Sequence, residues 1–130
     1  MGRADDAVLE TVLRNAELWT KNMIEAGRYA GWITTDGDWP VASAGLLVLD
    51  WPPHPLDPAG ERRGYVLNVF VQPEYRRRGL AHALVELCLD EAKRRGIRIV
   101  ALHSSDAGRA IYEGFGFKAS NEMLYVVPAD

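Results

Sequence analysis

The sequence predicts an α/β fold of the α+β kind, with helices packed on a mixed β-sheet. We expect a single domain that spans residues 1–130. Two apolar strand patterns, at residues 65–71 and 97–103, predict the sheet. Between them lies an amphipathic helix pattern that ends at Gly96. A strand, a crossover helix and a second strand favour parallel pairing with a right-handed connection. A chain of 130 residues is long enough for one hydrophobic core and short for two domains.

The N-terminal part of the chain carries a helix pattern. Asp5 and Asp6 suit the start of a helix, and Gly27 suits its end. Apolar residues at helical spacing give this helix one packing face: Val8, Leu9, Val12, Leu13, Ala16, Trp19, Met23 and Ile24. We therefore expect a helix that packs on the rest of the domain.

A β-hairpin and a long loop follow this helix. Residues 29–34 and 41–49 have strand patterns, and Asp36-Gly37-Asp38 is a hairpin turn between them. The Pro- and Gly-rich segment 51–60 predicts a loop with little regular structure. Such a loop is either part of a functional site or a flexible connector. His54 in this loop is expected to be a solvent-exposed side chain.

The C-terminal part predicts a short helix and a closing strand. Ser104, Ser105 and Asp106 supply an N-cap for a helix that contains Tyr112. Residues 118–127 then predict the last strand of the sheet.

Composition and charge exclude several classes of protein. Hydrophobic residues make up 48% and charged residues 25% of the chain, as in a folded globular domain and unlike a disordered segment. The net charge of −3 argues against general nucleic-acid binding. No apolar stretch approaches membrane-spanning length, and the N-terminus lacks a signal-peptide pattern. We therefore expect no nucleic-acid partner and no membrane partner.

The single cysteine and the three histidines predict neither a disulfide nor a metal site. Cys88 lies on the apolar face of the second helix, so we expect a buried structural thiol rather than a nucleophile. A lone cysteine fits the reducing cytoplasm. The histidines have no metal-ligand spacing with Asp, Glu or Cys, so we expect no metal.

The residues that indicate a ligand-binding site lie in the turn between the strand at residues 65–71 and the following helix. Arg76–Arg78 precede Gly79 at the start of that helix. The first N–H groups of a helix have no intrahelical partner and lie at the positive end of its dipole. Gly79 lets a ligand approach the main chain because it has no Cβ. The turn predicts a phosphate or pyrophosphate site; the alternative is a solvated basic turn that only caps the helix.

Two segments resemble the signatures of one family. Val71–Ala81 resembles the acetyl-CoA motif of the GNAT superfamily of N-acetyltransferases, whose pattern Gln/Arg-x-x-Gly-x-Gly/Ala is matched by Arg76, Gly79 and Ala81. Ile111–Phe117 resembles the family's Leu-Tyr-Glu-x-x-Gly-Phe segment. Two ordered signatures, joined by a helix and a strand, are much more specific than either one alone.

The resemblance implies the GNAT-like acyl-CoA N-acyltransferase fold, and it is clear over residues 64–127. In that fold two parallel strands diverge toward their C-terminal ends, and the pantetheine arm of the cofactor enters the gap. The family fold usually opens with a short strand, but no strand pattern precedes Asp5. We therefore expect the first strand to be missing, either because the chain is a shortened piece or because the strand is absent.

The resemblance also implies acetyl-CoA as the co-substrate. Backbone groups at residues 69–71 would pair with the pantetheine amides and polarise the acetyl carbonyl, and the Arg-rich turn would hold the pyrophosphate. Ser105 stands near the place where relatives carry an asparagine. The residues expected to bind the cofactor are Val69, Phe70, Val71, Arg76, Arg77, Arg78, Gly79, Leu80, Ala81, His82 and Ser105.

The reaction implied by the resemblance is direct transfer of an acetyl group from acetyl-CoA to a primary amine. Tyr112 matches the tyrosine that often protonates the departing sulfur, and a phenol with an ordinary pKa of about 10 is protonated at neutral pH. His103, after the second parallel strand, is the candidate base because an imidazole can accept a proton near neutral pH. Glu122 and a water chain are the alternatives.

The acceptor stays open at the level of the sequence. Glu122 and Trp51 are the candidate substrate-binding residues, and Trp32 and Trp39 are further aromatic candidates. A small-molecule amine, an antibiotic, an amino acid and a peptide or protein amine are all compatible with the motifs. Many members of the family dimerise, so a homodimer is one expectation.

Two other classes of function compete with an enzyme. The first is a non-catalytic domain that senses CoA or serves as a complex subunit; the presence of Tyr112 favours an enzyme over it. The second is a nucleic-acid patch formed by Arg76–Arg78 with Arg94 and Arg95. Aromatic residues do not accompany these arginines at regular spacing, and the overall charge is negative, so this hypothesis ranks last.

Overall fold

A computed structural model describes residues 3–129, with side chains described from Asp6 onward. Three α-helices and four β-strands occur in this range: α1 Arg3–Glu25, β1 Tyr29–Asp36, β2 Trp39–Asp50, β3 Arg62–Val71, α2 Leu80–Arg94, β4 Val100–Leu102 and α3 Arg109–Gly114. A 3-10 turn at Pro73–Tyr75 lies between β3 and α2. The predicted α/β class is confirmed, as is the predicted order of elements as far as α3.

The four strands form one mixed sheet in the order β1-β2-β3-β4. β1 pairs antiparallel with β2, and β2 pairs antiparallel with β3. β3 and β4 are parallel, which confirms the pairing predicted from the strand–helix–strand pattern. Gly37, with φ of 61°, lies in the two-residue turn of the hairpin, where the left-handed region favours glycine.

The hydrophobic core lies between α2 and one face of the sheet. Leu84, Cys88 and Ala92 recur every four residues on α2 and therefore share one side of the helix. They pack against buried side chains of β2 and β3, among them Leu46 and Val66. We call this side of the sheet the α2 face. The prediction that Cys88 is a buried thiol is confirmed, since its side chain is fully buried.

The opposite side of the sheet, the α1 face, is packed more sparsely. Trp32 belongs to the core on the α2 face, so Tyr29, three residues earlier in β1, points to the other side. There it meets the edge of Trp19 from α1, with ring centroids 6.1 Å apart. Side chains alternate along the strand, and the two faces of the sheet therefore present different residues to a ligand.

Helix α1 differs from its prediction in start and packing. It begins at Arg3 rather than at Asp5. The expected packing face is wrong for residues 8–18, where Val8 and Leu13 are more than half exposed. Residues 26–28 connect α1 directly to the edge strand β1, so only the C-terminal part of the helix comes close to the sheet. Within residues 3–129, no strand precedes α1.

The C-terminal part of the sheet is shorter than predicted. The strand expected at residues 97–103 forms only at Val100–Leu102. The strand expected at residues 118–127 is wrong, because this segment is irregular and Met123 is 96% exposed. A strand needs a neighbour to satisfy its backbone groups, and the described chain places no strand beside the outer edge of β4.

The loop at residues 51–60 contains a turn that is closed by backbone hydrogen bonds. The backbones of His54 and Asp57 exchange hydrogen bonds of 3.2 and 2.7 Å, and Asp57 is buried. The exposed His54 accepts a hydrogen bond from the Leu56 N–H through Nδ1 at 3.1 Å. The loop joins the end of β2 to the start of β3, and it therefore lies at the opposite end of β3 from the Arg-rich turn.

Two kinds of feature are absent from the described part of the chain. None of its helices combines the length and apolar character needed to cross a membrane. No group of three or more His, Cys, Asp or Glu side chains there is arranged to hold a metal ion.

Candidate active site

The pairing of β4 with β3 stops before β3 ends, and we call the unpaired stretch beside residues 67–71 of β3 the gap. The two strands pair at three positions, the last of which joins Val66 to Leu102. β3 continues to Val71, but β4 ends at Leu102. The β4-side edge of residues 67–71 therefore lies beside no strand in the described chain. The backbone oxygens of Asn68 and Val71 in this stretch already accept side-chain hydrogen bonds, from Ser43 and Arg76. This edge includes residues 69–71, the segment predicted to bind the pantetheine arm.

A β-bulge lies in β3 beside this gap. Between the pairs Gly45↔Leu67 and Ser43↔Phe70, β3 has one residue more than β2. Asn68 lies in this interval with φ of 58°, a left-handed conformation that asparagine tolerates better than most residues. A bulge bends its strand and interrupts regular pairing. The bulge therefore sets the direction that residues 69–71 take beside β2.

Side chains from two other strands hold the bulge. Ser43 Oγ donates a hydrogen bond of 2.8 Å to the backbone oxygen of Asn68. Asn68 Nδ2 donates one of 3.0 Å to the Tyr29 phenol oxygen. The Tyr29 ring crosses directly over Gly45, where a Cβ would lie 1.9 Å from the phenol oxygen. Glycine at position 45 is therefore needed for Tyr29 to reach Asn68.

The start of α2 presents free backbone donors. Gly79 is the N-cap, with φ of 78°, and no side chain caps the helix. The first intrahelical bond is donated by the Ala83 N–H to the Gly79 oxygen at 3.1 Å, so the N–H groups of residues 80–82 have no intrahelical partner. A Cβ on Gly79 would meet no atom within 4 Å, so the space over this turn is open. Free donors, the helix dipole and open space are the features that an anion site needs, and anion binding here stays a prediction.

Two of the three arginines in the turn brace the turn itself. Arg76 Nε donates a hydrogen bond of 3.2 Å to the backbone oxygen of Val71. Arg78 donates one of 3.2 Å to the backbone oxygen of Glu74, and its guanidinium lies 5.0 Å from the Tyr75 ring centroid. The side chain of Arg77 makes no hydrogen bond or ion pair with any residue of the described chain. Arg77 is therefore the arginine most available to a ligand phosphate.

Helix α3 carries Tyr112 to the α2 face of the sheet. Burial, and then the nearby Cys88 thiol, raise the pKa of the Tyr112 phenol above its ordinary value of 10.0. The Tyr112 ring also meets the edge of Phe117, with centroids 6.0 Å apart. His82 in the first turn of α2 stacks on Phe115, with centroids 4.4 Å apart. His82, the residue after the first family signature, is therefore in direct contact with the second signature, and the Tyr112 phenol is protonated at neutral pH.

Ser105 is used locally at the start of α3. Its Oγ accepts a hydrogen bond of 3.1 Å from the Gly108 N–H. The helix begins at Arg109 with Gly108 as N-cap, so the expected cap by Ser104, Ser105 or Asp106 is wrong in position. A role for Ser105 in cofactor binding stays a prediction.

His103 lies on the opposite face of the sheet from Tyr112. Tyr65 pairs with Ala101 across the β3–β4 ladder, and the rings of Tyr65 and His103 are 5.5 Å apart. Tyr65 precedes the core residue Val66, so Tyr65 and His103 lie on the α1 face. The proton donor and proton acceptor candidates therefore lie on opposite faces of the sheet.

Trp51 and Glu122 lie together but far along β3 from the gap. The Arg63 guanidinium lies 4.3 Å from the Trp51 ring centroid, and Arg63 Nη1 lies 3.4 Å from Glu122 Oε1. Arg63 lies four residues from Leu67, where the unpaired edge begins, and eight residues from Val71, which corresponds to about 13 Å and about 26 Å at about 3.3 Å per residue. The contact with Arg63 gives both residues a structural role, and their substrate role stays a prediction.

Sequence reasoning missed four residues that shape this site. Asn68 interrupts the apolar run of β3, and Gly45 interrupts that of β2; a polar residue or glycine inside a strand signals a bulge. The Tyr29 phenol and the Asp36 carboxylate carry no such local signal, because their partners are 39 residues away.

The sequence matches the acetyltransferase (GNAT) family over residues 6–117. This range covers both signatures, the gap between β3 and β4, and the open start of α2. The chain therefore belongs to the GNAT family of acetyltransferases, and the family assignment made from the two motifs is confirmed.

Two curated relatives are N-acetyltransferases. The chain is 28% identical over 111 residues to human N-acetyltransferase 8, which is 83% of this chain and 47% of that protein. It is 40% identical over 55 residues to the ribosomal protein bS18 alanine N-acetyltransferase of Escherichia coli, which is 40% of this chain and 37% of that enzyme. The matched part spans less than half the length of either relative.

Solved structures share the fold at higher coverage. A GCN5-related N-acetyltransferase from Ralstonia eutropha superposes with a TM-score of 0.85 at 34% identity, covering 93% of this chain and 79% of that one. A predicted acetyltransferase from Clostridium acetobutylicum, solved with acetyl-CoA, superposes with a TM-score of 0.82 at 27% identity, covering 89% and 75%. The predicted GNAT-like fold is confirmed.

Proposed function

We propose that this chain is an N-acetyltransferase that moves an acetyl group from acetyl-CoA directly to a primary amine. The observation that carries the proposal is the placement of Tyr112 beside Cys88 on the α2 face of the sheet and of His103 beside Tyr65 on the α1 face. Direct transfer needs the donor and the acceptor amine to meet at one carbon, and a gap accessible from two faces allows this.

The diphosphate of acetyl-CoA would bind the start of α2. The N–H groups of residues 80–82 would donate to its oxygens, and Arg77 would add a positive charge. Arg76 and Arg78 would act mainly through the shape of the turn, since their side chains already bind its backbone. Gly79 would leave room for the phosphate to approach the main chain.

The pantetheine arm would occupy the gap beside β3. Backbone groups of residues 69–71 would pair with its amides, as they would with a neighbouring strand, and this pairing would orient the thioester. A backbone N–H from the same segment would polarise the acetyl carbonyl. Holding donor and acceptor in a reactive geometry supplies a large part of the rate enhancement.

Proton transfer would use groups on both faces. Tyr112 would protonate the departing sulfur, and its raised pKa keeps the phenol protonated over the working pH range. On the α1 face, His103 or a water chain beside it would accept the proton of the acceptor ammonium. Glu122 lies with Arg63 near the far end of β3, so His103 is the favoured base.

The acceptor would enter from the α1 face. One relative is named for the acetylation of an alanine of a ribosomal protein, and the name of the human relative states no substrate. Small-molecule and peptide amines are therefore both in the proposal. We place the reaction in the cytoplasm, because the described cysteine is a free buried thiol.

Two measurements test the proposal. Saturating acetyl-CoA should raise the melting temperature, because a ligand that binds only the folded state stabilises it. A panel of amines and peptides, followed by release of the CoA thiol, should then identify an acceptor. Absence of a melting shift would overturn the proposal. A shift without thiol release on any amine would favour a CoA-sensing domain instead.

A further inference from the structure

A hydrogen bond ties the Arg-rich turn to the β1–β2 hairpin. Tyr75 Oη donates to Asp36 Oδ2 at 2.5 Å, and the two residues are 39 positions apart. We propose that Asp36 and Tyr75 are positioning residues that hold the turn before α2 in the shape that binds a diphosphate. The inference rests on the proposed function, because it concerns the same binding site.

Tyr75 lies at the centre of the turn. It ends the 3-10 turn Pro73–Tyr75, immediately before Arg76. Its backbone N–H donates to the Gln72 oxygen at 2.9 Å, and the Arg78 guanidinium lies over its ring. A shift of the Tyr75 side chain would therefore move Arg78 and the backbone that leads into Gly79.

Asp36 supplies a fixed anchor for this ring. It is the last residue of β1, and it pairs with Trp39 across the hairpin. The hydrogen bond to Asp36 raises the pKa of the Tyr75 phenol above its ordinary value of 10.0, so the phenol remains a donor at neutral pH. The hairpin is thus connected to the turn by a side chain as well as by the sheet.

The charge of Asp36 makes the role of this contact testable. A carboxylate near a diphosphate site repels the ligand, so electrostatics alone predicts tighter CoA binding when the charge is removed. Positioning predicts weaker binding for the same change. Asp38, on the same hairpin turn, makes no hydrogen bond or ion pair within the described residues and is a matched control.

The experiment measures the affinity of the full chain for CoA by titration calorimetry. Tyr75→Phe keeps the ring over which Arg78 lies but removes the donor, and Asp36→Ala removes the acceptor. We expect each variant to bind CoA about three- to tenfold more weakly, the range that the loss of one hydrogen bond supports. The double variant should bind CoA no more weakly than the single variant with the lower CoA affinity, because both changes break the same contact.

Matched variants separate positioning from charge and from general destabilisation. Asp38→Ala should bind CoA as tightly as the unaltered chain or more tightly, and Asp36→Asn, which keeps an acceptor oxygen, should stay within about twofold. Pantetheine, which lacks the diphosphate, should bind the Tyr75→Phe variant and the unaltered chain equally. A change in fold stability alone would affect both ligands.

Three results would overturn the inference. The first is that Asp36→Ala and Asp38→Ala bind CoA with equal affinity. The second is that the affinity loss of the double variant equals the sum of the two single losses. The third is that pantetheine binding and CoA binding are weakened equally. Each leaves the proposed function intact, because the unaltered chain still binds CoA. Failure of the unaltered chain to bind CoA would instead overturn the proposed function, and this inference with it.

Discussion

Asn68 Nδ2 lies 3.0 Å from the phenol oxygen of Tyr29 and donates a hydrogen bond to it, which joins the bulge of β3 to the edge strand β1. Tyr29 is buried, and its ring reaches across β2 above Gly45 to make this contact. The backbone that leads into residues 69–71 is therefore braced from the α1 face of the sheet. The geometry of the gap depends on side chains that lie outside both family signatures.

Gly45→Ala tests this bracing. The added methyl group would lie 1.9 Å from the Tyr29 phenol oxygen, so the ring must move away from Asn68. We expect a loss of about 1–3 kcal/mol in the free energy of unfolding, as for other overpacked sites. Chemical denaturation measures it, with Gly114→Ala as control because a Cβ there meets no atom within 4 Å. Equal denaturation midpoints for the two variants would contradict the contact.

Gly79→Glu tests the anion site at the start of α2. The substitution places bulk and negative charge over the free N–H groups, so the melting shift caused by acetyl-CoA should be lost. Gly27→Glu is the control, because Gly27 also has a positive φ and open space but lies at the α1–β1 connection. It should lower the basal melting temperature and keep the acetyl-CoA shift. An unchanged shift in Gly79→Glu would place the diphosphate elsewhere.

Tyr112→Phe tests the proton donor. Turnover with an acceptor from the amine screen should fall about 10²-fold, at the lower end for general acid catalysis, while the acetyl-CoA melting shift is kept. In the unaltered chain this group should limit activity only above pH 10, because burial and Cys88 raise its pKa. Tyr125→Phe, on the exposed C-terminal segment, should have normal turnover. Equal rates for the two variants would remove Tyr112 from the mechanism.

The lowered pKa of the Glu91 carboxyl should make the stability of the fold depend on pH. Hydrogen bonds from Arg94 and Arg95 lower the pKa of its carboxyl from 4.5 to about 2. Because the folded-state pKa is the lower one, this contribution is complete above pH 4.5 and is lost as the pH falls toward 2. Glu91→Gln should cost on the order of 1 kcal/mol at pH 7, allowing for solvent screening, and the cost should shrink between pH 5 and about 2. Denaturation of both proteins across this range measures it, and a cost independent of pH would contradict the ion pair.

Cys88 should be unreactive in the folded chain. Burial raises the pKa of its thiol to about 11, so little thiolate forms at pH 8 and reagents have no access to it. A chromogenic disulfide reagent should label the thiol rapidly in denaturant and slowly without it. Rapid labelling of the folded chain would show that the core between α2 and the sheet opens readily.

Much of the fold was predictable because its signals are local. The strand pattern at residues 65–71 and the observed β3, Arg62–Val71, agree within three residues. The helix predicted between the turn and Gly96 forms as α2, because its apolar residues recur at helical spacing and pack on the sheet. The strand predicted at residues 118–127 failed because a strand pattern shows only that pairing is favourable, and a partner strand must also be present.

The sequence by itself determined the family, the open start of α2 at Gly79 and the helix that carries Tyr112. Each is carried by short segments of neighbouring residues, so local patterns report it. Tertiary structure alone decided the left-handed backbone at Asn68, the contact of Tyr75 with Asp36 and the opposite faces of the two proton-transfer candidates. These features depend on contacts between residues far apart in the chain, whose free energy appears only once the strands are paired.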